Sequence, residues 1–360
     1  MKKFVVEINS GNQMHLFAPG PIRIPEVIKH TFLVDPPYFT SSAFSDLIRE
    51  IQPKLQTIFT TTDPVLIGTG SGSLGMEMAV WNFFNSKDHV VVVDSGKYGS
   101  NWVKMCQGRD LDVAVVKPKP RHPVTLVEIA KVIKPETRGI FITHVETTTG
   151  VLHPIKEVAD EFGENCLIVV DAVSSLLTEP LVASDYDVVI SASQKAISIP
   201  PGLFFMSVST LARNRAYRCD WPPFYFDVTN ELDRLEKGIT TFTPASNLYL
   251  ALNQALNEIL KVGVSNLIGF TRSMAYMTRE KLSRDFDFYP KVPGNAVTVC
   301  DCEGSNLLIQ RAYNEGVVIG AGVRELSDKI FRIMHFGWDL KEKELNNVIK
   351  NVLLLYNPYP

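Results

Sequence analysis

Leu167-Ile168-Val169-Val170-Asp171-Ala172-Val173-Ser174-Ser175 is followed, a short way on, by Asp187-Val188-Val189-Ile190-Ser191-Ala192-Ser193-Gln194-Lys195. Each stretch holds a short apolar run without polar alternation that ends in a polar residue. Strands buried on both faces read this way, whereas strands with one wet face alternate. The pattern recurs outward in both directions, at Val65-Leu66-Ile67, His89-Val90-Val91-Val92-Val93-Asp94, Gly139-Ile140-Phe141-Ile142-Thr143 and Leu203-Phe204-Phe205-Met206-Ser207-Val208. Helical patterns lie between the runs, at 74–84, through Val103 and Met105, and at 155–162. Strands alternating with helices imply parallel βαβ units, so the reading is α/β, a mostly parallel sheet covered by helices on both faces. Ligands of such sheets sit at the carboxyl ends of the strands, where Gly68, Asp94, Thr143, Asp171 and Ser191 stand.

Beyond this region, residues 243–283 read as helical. A second unit then carries strand patterns at 297–300, 317–319 and 331–334 and helices at about 305–314 and 341–355. In the last helix Leu345, Val348, Val352 and Leu353 fall at helical spacing. The expected organisation is an N-terminal segment 1–18, a large domain 19–258 and a smaller C-terminal α+β domain 259–360. The first 60 residues, rich in Pro, Phe and Ser, carry the weakest pattern.

The 360 residues are 45% hydrophobic and 21% charged, which excludes a disordered chain. Thirty-six basic against 39 acidic side chains leave a net charge of −3, without the basic excess of a nucleic-acid binder, so small molecules are the expected partners. Cys106, Cys166, Cys219, Cys300 and Cys302 are scattered, with no C-x-x-C pair, and read as reduced thiols rather than a zinc site. His144, His153 and His335 do not stand at metal-ligand spacing, so no metal is expected. The opening Met1-Lys2-Lys3-Phe4-Val5-Val6 begins like a signal peptide but is interrupted by Glu7, Asn9 and Asn12. The longest charge-free run, 238–257, holds Thr, Ser, Asn, Gln and Pro, unlike a membrane span. A cytoplasmic protein is expected.

Gly68-Thr69-Gly70-Ser71-Gly72-Ser73-Leu74-Gly75 lies between a strand and a helix, where bare N–H groups and the helix dipole hold phosphate. It lacks the lysine of a Walker loop. Gly70, Gly72 and Gly75 do form a G-x-G-x-x-G, with Asp94 ending the next strand, which keeps a nicotinamide-dependent dehydrogenase open. Lys195 is flanked by no carboxylate between Asp187 and Asp220. Desolvation would lower its amine pKa and suit it to Schiff-base chemistry, unless it is an ordinary solvated lysine. Asp171 at a strand end is costly unless paired, for instance with a protonated pyridine nitrogen, or else caps the next helix. The cluster Glu146-Thr147-Thr148-Thr149-Gly150 is a ligand loop or a turn. A phosphate loop with an acid serves a dinucleotide, but only a pyridoxal cofactor also calls for the lysine.

With these residues in place, the sequence resembles the class V aminotransferases of fold type I, specifically the serine–pyruvate / alanine–glyoxylate aminotransferase group, over nearly its whole length. Ala18-Pro19-Gly20-Pro21 is similar to the family's opening T-P-G-P, and Ser71-Gly72-Ser73 with Glu77 to its phosphate loop. Gly96-Lys97-Tyr98-Gly99 matches G-x-[WYF]-G, His144-Val145-Glu146-Thr147-Thr148-Thr149-Gly150 matches H-x-E-[ST]-S-T-G, and Asp171-Ala172-Val173-Ser174-Ser175 matches D-[AS]-V-[AS]-S. Ser193-Gln194-Lys195-Ala196 is similar to S-x-Q-K-[AC], and Phe331-Arg332-Ile333 to F-R-I-G.

The resemblance implies pyridoxal 5′-phosphate, with Lys195 as Schiff-base lysine and proton shuttle and Asp171 pairing with the pyridinium nitrogen. It further implies Val173 and Tyr98 on the two ring faces, Ser71, Gly72, Ser73 and Gln194 at the phosphate, and Thr147 at the ring hydroxyl side. Thr243, in Thr241-Phe242-Thr243-Pro244, would reach the phosphate of a neighbouring subunit in a homodimer. Arg332 would take the substrate carboxylate, unless it is a structural arginine paired with an acid of the large domain, and Gly20 would line the substrate. The implied reaction is transamination between alanine or serine and glyoxylate or pyruvate, with no nucleic-acid or membrane partner. The alternatives are the dehydrogenase and a non-catalytic binding protein that keeps the fold. The chain departs from the family at Phe39-Thr40, where H-R is usual, at Thr240, and at Met334 in place of Gly, which leaves the amino donor open.

Overall fold

The computed structural model describes residues 14–221 and 223–356. The signal-peptide reading of residues 1–7 and the C-terminal residues 357–360 lie outside the described residues.

Val90, Val91, Val92 and Val93 are all buried, and so are all five residues of Leu167–Asp171 and of Val188–Ala192. These runs form the middle of a seven-stranded sheet whose order is Val65–Gly70, Gly202–Val208, Val188–Ala192, Leu167–Asp171, Thr137–Thr143, His89–Val93, Asp112–Val116. Only Gly202–Val208 runs antiparallel to its neighbours. The absence of polar alternation has a direct cause, because each strand feeds two cores. Val90, Val92, Phe141, Val169, Ile190 and Phe204 pack on one face with Met76, Val80 and Phe83 of the Gly72–Phe83 helix and Trp102 of the Lys97–Gly108 helix. Val91, Ile140, Ile168, Val170, Val189 and Phe205 pack on the other with Ile155, Val158 and Phe162. Each fully buried side chain of this kind contributes about 1.5–3 kcal/mol relative to exposure.

The Ser42–Phe59 helix completes the second layer, burying Phe44, Leu47, Ile48, Ile51, Leu55, Ile58 and Phe59. That spacing is a helical stripe, although Pro53 inside it breaks the usual signal. The helical region expected from 243 to 283 is two helices, Ser246–Val262 and Val264–Leu282, broken at Gly263, where φ is +88°. The boundary expected at 258/259 falls inside the first of them.

The second unit is a three-stranded antiparallel sheet in the order Val297–Asp301, Ile330–Met334, Gly320–Ala321, with the Ser305–Asn314 and Glu342–Tyr356 helices. The single strand expected at 317–319 is divided between two partners. Val317–Val318 pairs in parallel with His15–Leu16, and Gly320–Ala321 with Ile330–Met334. Phe17 N–H donates to Val318 O at 2.8 Å and Met334 N–H to Phe17 O at 2.8 Å. The start of the described chain is thereby stitched to the second unit before Pro19 and Gly20 turn toward the large sheet. Among the described residues no helix is long and apolar enough to cross a membrane, and all five cysteines are free.

Candidate active site

Asp171 is the last residue of its strand and is 3% exposed. Its Oδ1 accepts Val173 N–H at 2.9 Å and its Oδ2 the Thr143 hydroxyl at 3.4 Å. Burial pushes its carboxyl up to about 6, against the pull of the Val173 N–H. The next strand along the sheet ends at Ala192, and the chain then makes a closed loop before Gly202. Ser193 builds that loop, its hydroxyl donating to Pro200 O at 2.8 Å and accepting Leu203 N–H at 3.2 Å. Lys195 projects from it and is 6% exposed.

The Lys195 ammonium donates to Pro19 O and lies 5.8 Å from the centroid of the Phe336 ring. It takes part in no ion pair among the described residues. Burial lowers its pKa to about 8, helped by the Arg332 charge and opposed by Asp171 and Glu146. A Cβ on Gly20 would stand 3.0 Å from Nζ, so the Pro19-Gly20 turn closes directly over the amine.

Arg332 reaches the same region from the second unit. Its Nε and Nη2 donate to Ala321 O at 3.0 and 2.6 Å, and its Nη1 to Thr147 O at 3.0 Å. Burial holds its pKa below the ordinary arginine value. Among the described residues its hydrogen-bond partners are carbonyl oxygens and it forms no ion pair, although the charge of the large-domain acid Glu146 acts on it from nearby. A guanidinium has five N–H donors, so some stay available to an incoming anion.

The phosphate loop becomes the start of the Gly72–Phe83 helix, with Ser71 at the N-cap position making no side-chain cap. The first bonds into that helix come from Leu74 N–H and Gly75 N–H to Ser71 O, leaving the Gly72 and Ser73 N–H groups for a ligand. A Cβ on Gly72 would lie 2.7 Å from Val173 Cγ2, so only glycine lets this turn sit against the residue beside Asp171. Gln194 Oε1 is buried with no partner. A side-chain amide carries two N–H donors beside that oxygen. Tyr98, half-buried in the first turn of its helix, has its phenol pushed up by burial, with Asp171 and Glu146 adding to the effect.

Lys195, Asp171, Val173, Gly72, Gln194, Thr147, Arg332 and Gly20 thus gather, by direct contact or chain neighbourhood, around the carboxyl ends of the central strands. Thr243 is not joined to them. It is exposed and lines a cleft with Gly68, Thr69, Leu74, Tyr225 and Phe242. Of the departures, Met334 is buried in the core, whereas Thr40 is exposed. Glu146, read from the sequence only as part of a loop, is fully buried at the centre of the site. An acid followed by hydroxyl residues at a strand end was the available signal. Among the described residues no group of three or more His, Cys, Asp and Glu is placed to hold a metal.

A family model described as aminotransferase class-V matches residues 38–240. Among curated proteins, a soluble hydrogenase 42 kDa subunit from Anabaena cylindrica is 29% identical over 345 residues, covering 91% of this chain and 89% of that protein. A serine–glyoxylate aminotransferase from Methylorubrum extorquens is 27% identical over 358 residues, covering 93% and 89%. Among solved structures, an alanine–glyoxylate aminotransferase from Nostoc sp. superposes with a TM-score of 0.92 at 23% identity, over 97% of each chain, a likeness of fold.

Proposed function

The chain belongs to the class-V aminotransferase family, and from that premise we propose that it moves an amino group between alanine or serine and glyoxylate or pyruvate, in a ping-pong cycle on pyridoxal 5′-phosphate. The observation that carries the reading is Lys195, a buried amine lowered to about 8 with no carboxylate in contact. The residues fit the cofactor. The Gly72 and Ser73 N–H groups at the helix start would take a phosphate, with Ser71 beside them and the Gln194 amide, whose buried oxygen has no partner, turned to present its N–H₂. Val173 and Tyr98 offer the two ring faces, Asp171 the partner for the ring nitrogen, and Thr147 the partner on the hydroxyl side. When bound, pyridoxal phosphate supplies an aldehyde that condenses with amines and a ring that accepts the electron pair leaving the substrate Cα.

The chain's own residues do the rest. Lys195, with a pKa near the working range, takes a proton at Nζ and returns it, which is what a shuttle requires. Pro19, Gly20 and Phe336 enclose that nitrogen and keep water from it. Asp171, held by the Val173 N–H and the Thr143 hydroxyl, stays ionised once a cation faces it, because an opposite charge reverses the effect of burial. Arg332 turns its unused N–H groups to the α-carboxylate that amino and oxo acids share, in the planar geometry a carboxylate matches. Thr243 serves a neighbouring subunit's phosphate in a homodimer, and a cytoplasmic setting belongs to the same proposal.

The name of the Methylorubrum relative supports glyoxylate as one acceptor. The dehydrogenase alternative is not favoured. The strand leading into Gly70-Gly72-Gly75 is at the sheet edge, paired only with an antiparallel neighbour, away from a switch point of strand order. The Asp94 carboxylate already accepts the Ser100 hydroxyl at 2.7 Å. A mere binding protein offers no reason to bury Lys195 uncompensated. A panel of amino acids assayed with glyoxylate and pyruvate tests the proposal. Alanine or serine should lead, and a panel without any turnover would remove the reading.

A further inference from the structure

Glu146 has no exposed surface, and among the described residues it forms no ion pair, although its charge acts on Lys195 and Arg332 from nearby. Its carboxylate is filled from two sides. Oε2 accepts Tyr98 N–H at 2.9 Å and Gly99 N–H at 3.3 Å, and Oε1 accepts the Thr148 hydroxyl at 2.6 Å and Thr148 N–H at 3.2 Å. The Thr148 hydroxyl oxygen in turn accepts Lys97 N–H at 3.2 Å. The Lys97–Gly108 helix begins after Gly96, which supplies no side-chain cap, so an acid 50 residues further on takes the capping role. A Cβ on Gly96 would stand 2.6 Å from Cγ and Cδ of Glu146, so the acid reaches the helix start only because that position is bare.

The next residue in the chain, Thr147, gives its carbonyl to Arg332 Nη1 at 3.0 Å. One carboxylate therefore touches the turn that carries Tyr98 and anchors the strap that carries the arginine's docking point. Three of the four groups facing it are backbone N–H donors, spread over both oxygens, and the fourth is the Thr148 hydroxyl, which both donates and accepts. A glutamine in either orientation would set its N–H₂ against at least one backbone N–H.

We propose that Glu146 is a positioning residue that holds the Tyr98 ring platform and the Arg332 carboxylate clamp in fixed register. Burying an ion is costly, and four charge-assisted hydrogen bonds offset that cost while holding both sides of the site. The inference deepens the transamination reading and rests on it.

The test uses Glu146→Gln, with Thr148→Val as a milder variant should the first fail to fold. Amide exchange at Tyr98 and Gly99 is measured on cofactor-free protein, and kcat and KM on protein loaded with pyridoxal phosphate. In Glu146→Gln both amides should exchange faster, and kcat/KM should fall for amino and oxo acids alike, by on the order of tenfold or more through KM as well as kcat. Thr148→Val should move the same quantities the same way by less. Unchanged exchange and kinetics in a folded variant would overturn the proposal, as would a lower melting temperature with kinetics intact. A parent protein without aminotransferase activity would instead remove the functional reading, while the exchange measurement still reported on Glu146.

Discussion

Lys195 and Arg332 share an unusual circumstance: both are cations taken out of water, and both are met only by carbonyl oxygens. Such charges destabilise a fold until a partner arrives, which is the state expected of an amine awaiting an aldehyde and of a guanidinium awaiting a carboxylate. For Lys195 the cost has a pH signature. Its folded pKa, about 8, lies below the ordinary 10.5, so its contribution to stability is present above 10.5 and is lost as pH falls through 8. Lys195→Met in cofactor-free protein should therefore melt above the parent, by a margin that grows as pH falls from about 10.5 toward about 8 and then levels. A margin independent of pH in paired melting curves would contradict the buried-charge account. Arg332→Lys keeps the charge and loses the fork. It should lower kcat/KM for amino and oxo acids by about 1.5–3 kcal/mol per lost charge-assisted bond and leave the bound cofactor's absorption unchanged. Steady-state kinetics with both substrate types check this. At this scale Lys195 and Asp171 drew attention in the sequence because each stands at or just after a strand end, although a helix cap for Asp171 and a solvated lysine were equally open there. Glu146 was not, since its partners Tyr98 and Gly99 are 48 and 47 residues away and only the fold brings them near.

Elements were legible where a single core face imposed the period. Ile155–Phe162 and Ser305–Asn314 coincide with their hydrophobic stripes. The Ser42–Phe59 helix was hidden by Pro53, and the run after Gly316 was misread as one strand because its residues serve two sheets. The element that matters most to the site is the start of the Gly72–Phe83 helix. Gly72→Ala would force a Cβ to within 2.7 Å of Val173 Cγ2, pushing the open N–H groups out of line with Gln194. The expected result is weaker retention of pyridoxal phosphate, read by dialysis and fluorescence titration, with far-UV circular dichroism preserved. Retention equal to the parent would show that the phosphate is held elsewhere.

At the scale of the whole molecule, the two-face burial of the sheet made the α/β class readable, because a strand with two cores has no room for polar alternation. The route of residues 15–21, from the second unit to the amine of Lys195, was not readable, as the contact between Pro19 and Lys195 spans 176 residues. A dimer with shared sites is the remaining expectation at this scale. Thr243→Ala should weaken cofactor retention without altering the monomer's fold, and light scattering should give twice the chain mass. A fully active monomer would refute the shared site. The account as a whole turns on Lys195 capturing an aldehyde, and one measurement addresses that most directly. Protein incubated with pyridoxal 5′-phosphate is reduced with borohydride, digested and analysed by mass spectrometry. The account predicts a phosphopyridoxyl group on the peptide bearing Lys195, and none on that peptide in Lys195→Ala. A parent protein that carries no such group, or carries it on a different lysine, would contradict it.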